Sequence, residues 1–249
     1  MLRAFRACAD AIAYFTAIPM GRLAADAGPD AYALSFLPAI GALVGALAGA
    51  LGYAAFALFH VSWAFAVAWA AAIALTGAIH VDGFLDACDG LLVTATPQRR
   101  LEIMSDPRHG TFALVGMAML AVFWLLALAP VAPERLPLLL AWSGATARLA
   151  VLPNAWAFPY ARAGAMAATF AARPSVAAFA LSFALVEVLA WYVTPYALVV
   201  APLAFLLALV GGRWAANRLG GGLTGDVYGA LIVKVEVLAL LAYSIVVLR

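Results

Sequence analysis

Charge is scarce in this chain. Only 10% of its 249 residues are Asp, Glu, Lys or Arg, against 67% hydrophobic, and the mean hydropathy is +1.05. A water-soluble domain is about 45–50% apolar and about 25% charged, so a soluble fold is excluded. Lysine is almost missing: Lys234 stands alone beside thirteen arginines. Cysteine is limited to Cys8 and Cys88, too few and too far apart for a disulfide framework, and both read as free thiols. There is no basic stripe with interleaved aromatics, which excludes nucleic acid as a partner. The remaining class is an all-α, polytopic integral membrane bundle, one domain over residues 1–249, with lipid around it.

Apolar runs bounded by proline, glycine and charge predict seven spans, at about 34–58, 62–79, 111–129, 136–152, 176–193, 196–210 and 227–248. Short cytoplasmic or interfacial helices are expected between them. The N-terminal stretch has Arg3 and Arg6 ahead of an apolar run that Asp10 interrupts, and no small-residue cleavage site follows. It reads as an uncleaved amphipathic helix. The first span carries Gly41, Gly45 and Gly49 at four-residue spacing. Such a column lets helices approach closely and predicts self-association into a homo-oligomer. Thr194-Pro195 separates the fifth and sixth spans so narrowly that they form a hairpin or one broken helix.

Arginine is distributed unevenly. Arg3, Arg6, Arg22, Arg99, Arg100, Arg108, Arg162, Arg173, Arg213 and Arg218 fall in one set of connections, and Arg135 and Arg249 in the other. The positive-inside rule assigns the first set to the cytoplasm. The N-terminus and three long loops, at about 80–110, 153–175 and 211–226, are then cytoplasmic, and the C-terminus is outside.

Three segments on that side carry chemistry. Residues 80–90 place Asp82, Asp86 and Asp89 at i, i+4 and i+7, on one face of a helix. Three like charges beside a bilayer repel, and a hard cation such as Mg²⁺ or Mn²⁺ carrying a phosphorylated substrate removes that cost. His80 lies about 160° around a helix from Asp82, at 100° per residue, so the two share a site only if the helix bends. Residues 102–111 bring Asp106, Arg108, His109 and Thr111 to the start of the third span. There Thr111 would cap the helix, Arg108 would bind an anion and Asp106 would complete a metal site. Residues 220–229 form a glycine-rich loop with Gly221, Thr224 and Gly225 as phosphate contacts and Asp226 as a further metal ligand. Pro159-Tyr160-Ala161-Arg162 offers a phosphate clamp through Arg162, with Arg148 nearby. Lys234, Glu236 and Glu187 lie inside spans, as site residues or as an ion pair between helices. From the residues alone, a phosphotransfer enzyme of the CDP-alcohol type, a prenyltransferase and a transporter all stay open.

At these segments the chain resembles the cobalamin synthase family, the adenosylcobinamide-GDP ribazoletransferases. The resemblance is carried by Gly-x-x-His80-x-Asp82-Gly-x-x-Asp86-x-x-Asp89-Gly, by Ile103-Met-x-Asp106 through Gly110-Thr111-Phe112, and by Gly221-Gly-x-Thr224-Gly-Asp226-x-x-Gly229. Weaker matches are Thr16-Ala-Ile-Pro19, Phe36-x-Pro38-x-x-Gly41 and the segment 159–162, in the same order along nearly the whole chain. Ala17 and Ala113 depart from the family pattern, where Arg and Gly are expected. The resemblance implies a Mg²⁺-dependent enzyme of the bacterial cytoplasmic membrane. It would pass adenosylcobinamide phosphate from adenosylcobinamide-GDP to the 5′-hydroxyl of α-ribazole, or to α-ribazole 5′-phosphate, releasing GMP. Other nucleotide-loop assembly enzymes are implied partners. Asp82, Asp86, Asp89 and His80 are the expected catalytic groups. Mg²⁺ would rest on Asp82, Asp86 and Asp89 with Asp106 or Asp226.

Overall fold

The computed structural model describes residues 2–23, 31–61, 63–162 and 175–248. Arg173 and Arg249 lie outside the described residues, and the side chains of Arg3 and Arg22 are not described either. Eleven α-helices make up the described residues: α1 Leu2–Phe15, α2 Ala31–Leu34, α3 Leu37–Phe59, α4 Ala64–Leu75, α5 Ile79–Leu92, α6 Pro97–Ile103, α7 Thr111–Leu128, α8 Leu136–Ala157, α9 Val176–Val193, α10 Val200–Arg218 and α11 Gly225–Val247. Cys8 and Cys88 are free.

Six of these helices are long and apolar enough to cross a bilayer, and a seventh crossing arises if the bent pair α4–α5 counts as one span. The expected second span, 62–79, is therefore not a straight crossing. Its helix α4 has 12 residues, about 18 Å at 1.5 Å per residue, short of a hydrocarbon core of about 30 Å. The chain then turns through 89° into α5. Gly77 (φ 58°) and Ala78 (φ 62°) both take left-handed conformations at the corner. Glycine does so freely, whereas alanine is strained there by about 1–2 kcal/mol. The corner is held by the Thr76 hydroxyl, which donates to the carbonyls of Ala72 and Ile73, and by the Ala17 N–H, which donates to Leu75 O at 2.7 Å. The long loops expected from sequence are helical in part among the described residues. α5 and α6 occupy most of 80–110, α8 runs on to Ala157, and α10 runs on to Arg218.

The bundle is organised around α8, whose apolar window is 83% buried. Along one side, α3 runs antiparallel to it. A Cβ on Gly41 would overlap the Gly144 carbonyl, one on Gly45 the Leu140 carbonyl, and one on Gly49 the Leu136 carbonyl. The glycine column thus packs within the chain, against α8, and is not a free face for self-association. In a bilayer, where lipid is as apolar as leucine, such close backbone approach is a main source of helix attachment. Glu236 of α11 and Arg148 of α8 form a buried ion pair at 3.7 Å, so the intramembrane acid finds an arginine rather than Lys234.

Gly45→Ala places a methyl on a backbone carbonyl that has no room to move. It should lower stability by about 2 kcal/mol or more, seen as a lower melting temperature in detergent. Gly211→Ala, which meets only the end of the Leu231 side chain, should leave that temperature nearly unchanged.

Candidate active site

The site forms where α5 crosses α11. A Cβ on Gly83 would sit 2.9 Å from Asp226 Cα, and one on Gly229 would sit 3.3 Å from His80 Cα and 3.6 Å from Gly83 Cα. Two glycines therefore let the backbones nearly touch, and the contact sets Asp226 beside the acidic helix. Asp86 lies in the fields of Asp226 and Asp82, opposed by His109 and Arg162. His109 Nδ1 is 3.8 Å from Asp86 Oδ1. Asp82 is exposed and Asp86 half-buried.

Asp226 is fixed from two sides. Arg162 Nη1 donates to its Oδ2 at 2.9 Å, and the Thr224 hydroxyl donates to the same oxygen at 3.2 Å. Thr224 also caps α11 by accepting from the Val227 N–H at 3.4 Å. Arg162 reaches Asp226 because the segment after α8 pairs with the glycine-rich loop. The Ala161 N–H donates to Leu223 O at 2.8 Å, and the Leu223 N–H to Pro159 O at 2.9 Å. The same pairing brings the Tyr160 hydroxyl to accept from the Gly225 N–H at 3.0 Å. Burial pushes the Tyr160 phenol above its ordinary pKa, so it stays neutral. Sequence patterns missed this role of Tyr160, because it arises from backbone pairing between segments 63 residues apart.

Two other basic residues fix the acidic helix rather than a phosphate. Arg100 donates to the carbonyls of Gly90 and Leu91, and Arg218 to that of Leu91. Cations on the last carbonyls of α5 satisfy its unpaired acceptors and oppose its negative end.

The predicted residues fall into three places. Asp82, Asp86, Asp226, Arg162, Thr224 and Gly225 lie together at the α5–α11 crossing, with His80 at its buried side. Asp89 is buried, about two turns beyond Asp82 along the same face of α5. Its carboxylate accepts from the N–H of Gly110 at 2.6 Å and of Ala113 at 3.0 Å, so it caps α7. Thr111, expected as that cap, lies inside the first turn, and Gly110 holds the cap position with no side chain of its own. Asp106 and Arg108 form a third, exposed group. Arg108 forks onto Asp106 at 2.9 and 2.7 Å, and the guanidinium holds the Asp106 carboxyl well below the usual carboxylate range. They line an outer cavity of about 330 Å³ with Asp89, Arg99 and Thr111. Gly221 is exposed at φ 110° and donates to Ala216 O at the end of α10.

Among the described residues, no three His, Cys, Asp or Glu side chains already form a metal cage. Mg²⁺ usually takes one or two carboxylates and fills its other positions with water and substrate phosphate. The donor set of Asp82, Asp86 and Asp226, acid oxygens in mutual repulsion, fits that mode.

The sequence profile of the cobalamin-5-phosphate synthase family matches residues 7–244. The chain is 35% identical over 242 residues to an adenosylcobinamide-GDP ribazoletransferase of Deinococcus radiodurans, covering 96% of this chain and 86% of that one. It is 32% identical over 251 residues to one of Klebsiella pneumoniae, covering 97% and 99%. A third, from Geobacillus kaustophilus, is 33% identical over 240 residues, covering 89% and 88%. No solved structure matches. The fold is a helical membrane bundle with a carboxylate cluster at one end, and its relatives are named as transferases. The chain belongs to the cobalamin-5-phosphate synthase family.

Asp89→Ala removes both acceptors at the start of α7 and should lower stability by about 1–2 kcal/mol, read as a lower melting temperature. Asp82→Ala removes an exposed charge from a repelling cluster and should leave the melting temperature equal or slightly raised.

Proposed function

We propose that this chain transfers adenosylcobinamide phosphate from adenosylcobinamide-GDP to ribazole and releases GMP. The family's own name gives a 5-phosphate product and the relatives' name gives ribazole, so the acceptor is the nucleoside or its 5′-phosphate. The observation that carries the reading is the convergence of Asp82 and Asp86 with Asp226, Arg162 and the capped start of α11 at one end of the bundle. Breaking a diphosphate needs charge neutralisation and alignment more than covalent help from the protein.

The acceptor 5′-oxygen attacks the cobinamide-side phosphorus, the bond from that phosphorus to the bridging oxygen breaks, and GMP departs with the electron pair. The acceptor proton passes to His80 or to one of the carboxylates beside it. Arg162 stands beside Asp226, where it holds the carboxylate in place and faces incoming phosphate. Arg108 and Thr111, at the outer cavity, are suited to the nucleotide phosphates of the donor. Mg²⁺ on Asp82, Asp86 and Asp226 would offset the negative charge of the diphosphate and of departing GMP. The arginine distribution supports a cytoplasmic orientation for the site. Arg99, Arg100, Arg108, Arg162 and Arg218 gather at the site end, whereas Arg135 lies at the opposite end before α8. In a bacterium, that orientation is the one expected of a protein of the cytoplasmic membrane.

Purified protein given adenosylcobinamide-GDP, α-ribazole and Mg²⁺ should release GMP and form a cobalamin, and EDTA should stop it. Asp82→Asn and Asp86→Asn should each lower turnover at least about 100-fold while the protein still inserts and stays folded. Full turnover in both variants would overturn the site assignment.

A further inference from the structure

The α5–α11 crossing opens into a cavity of about 230 Å³ that runs down into the bundle. Its walls change with depth, and the buried part, mostly apolar, also carries His80 and Tyr228. Phe15, Leu37, Val151, Leu152 and Ile232 line it and are all 6% exposed or less, so they form the floor. Asp82 is exposed, and Tyr14 and Ile79 are 36% and 38% exposed, so they form the mouth, with Asp226 half-buried beside them. A ligand that fits must be apolar at its inner end and reactive at its outer end.

We infer that this cavity is the acceptor subsite, taking the flat aromatic base of the nucleoside with its 5′ end turned outward to Asp82 and Asp226. The inference rests on the reaction proposed above and goes beyond it by dividing the two substrates between two places. A corrinoid macrocycle is too large for about 230 Å³. A guanosine diphosphate would leave most of its polar ring atoms and its phosphates without partners on a mostly apolar floor, which is costly. The outer cavity carries Thr111 with Arg99 and Arg108, which pair with Glu102 and Asp106 in the same wall, and these guanidiniums suit that half of the donor instead. A ribosylated benzimidazole has the required division: an apolar bicyclic base, and a sugar whose 5′-oxygen lies several bonds away. Tyr14 and Tyr160 stand at the cavity walls, where aromatic rings add edge or face contacts to such a base. His80 lines the same cavity at its buried side. An acyl chain would also suit the floor, but it brings no reacting group to the acidic mouth.

The test measures steady-state kinetics of the full-length protein in detergent, varying nucleoside and adenosylcobinamide-GDP separately. Ile232→Phe fills the floor. It should raise KM for α-ribazole about 10- to 100-fold, leaving KM for the donor unchanged. Val151→Thr keeps the volume and adds a hydroxyl to the floor, so it tests the same wall if Ile232→Phe misfolds; it should raise the same KM by about tenfold. In the wild type, a dimethylbenzimidazole nucleoside should show a lower KM than the adenine nucleoside. A change in donor KM instead, or an unchanged nucleoside KM in both folded variants, would overturn the subsite while leaving the reaction intact. Bound phospholipid that the nucleoside does not displace would overturn it as well. Failure of the wild type to release GMP with any nucleoside would overturn the reaction and the subsite together.

Discussion

The site depends on one contact, the near-touching of two helix backbones where α5 crosses α11. Gly83 faces Asp226 and Gly229 faces His80 with only hydrogen between them. In a lipid environment there is little hydrophobic force to press helices together, so attachment comes from packing that small residues permit. Here that packing also has a chemical result. It sets a third carboxylate, from the far end of the chain, among the like charges of Asp82 and Asp86. Side chains at either glycine would push the helices apart and dissolve the cluster.

Much of the polar inventory around this contact holds the frame rather than meeting substrate. Asp89 ties α5 to the start of α7. Arg100 and Arg218 tie the end of α5 to α6 and α10. Arg162 ties the loop after α8 to α11 and also reaches Leu101 O. Each bond satisfies a backbone group or charge that lipid or a buried interior would leave costly. The C-terminal half of the acidic helix is therefore held by its neighbours, while Asp82 and Asp86, nearer its start, keep solvent access. Electrostatic catalysis needs this kind of preorganisation, since dipoles that must reorient during the reaction contribute less.

The corner at Thr76–Ala78 explains why α5 lies where it does. The apolar run before it is too short to cross on its own, and two left-handed residues turn the chain across the bundle. The 89° bend between α4 and α5 turns the row of carboxylates away from the direction of the apolar run that precedes it.

Composition determined the class. With 67% hydrophobic residues the chain has too few polar groups to cover a soluble surface, and the spans at 111–129 and 176–193 were readable almost to the residue because uninterrupted apolar runs have clear ends. The motif spacing marked Asp82 and Asp86, one turn apart, as one acidic face. Spacing is a property of one helix and put Asp89 on the same face as the other two, but it could not show that the N–H groups of α7 meet the far end of that face. The glycine column read as a helix-packing face, but only the tertiary structure decided that its partner is α8 of the same chain. Tyr160, Arg162, Thr224 and Asp226 come together through pairing of residues 159–161 with Leu223, and the apolar cavity is bounded by five helices distant in sequence. Local pattern records which face of an element is apolar or charged; which faces then meet is settled by packing geometry across the whole bundle.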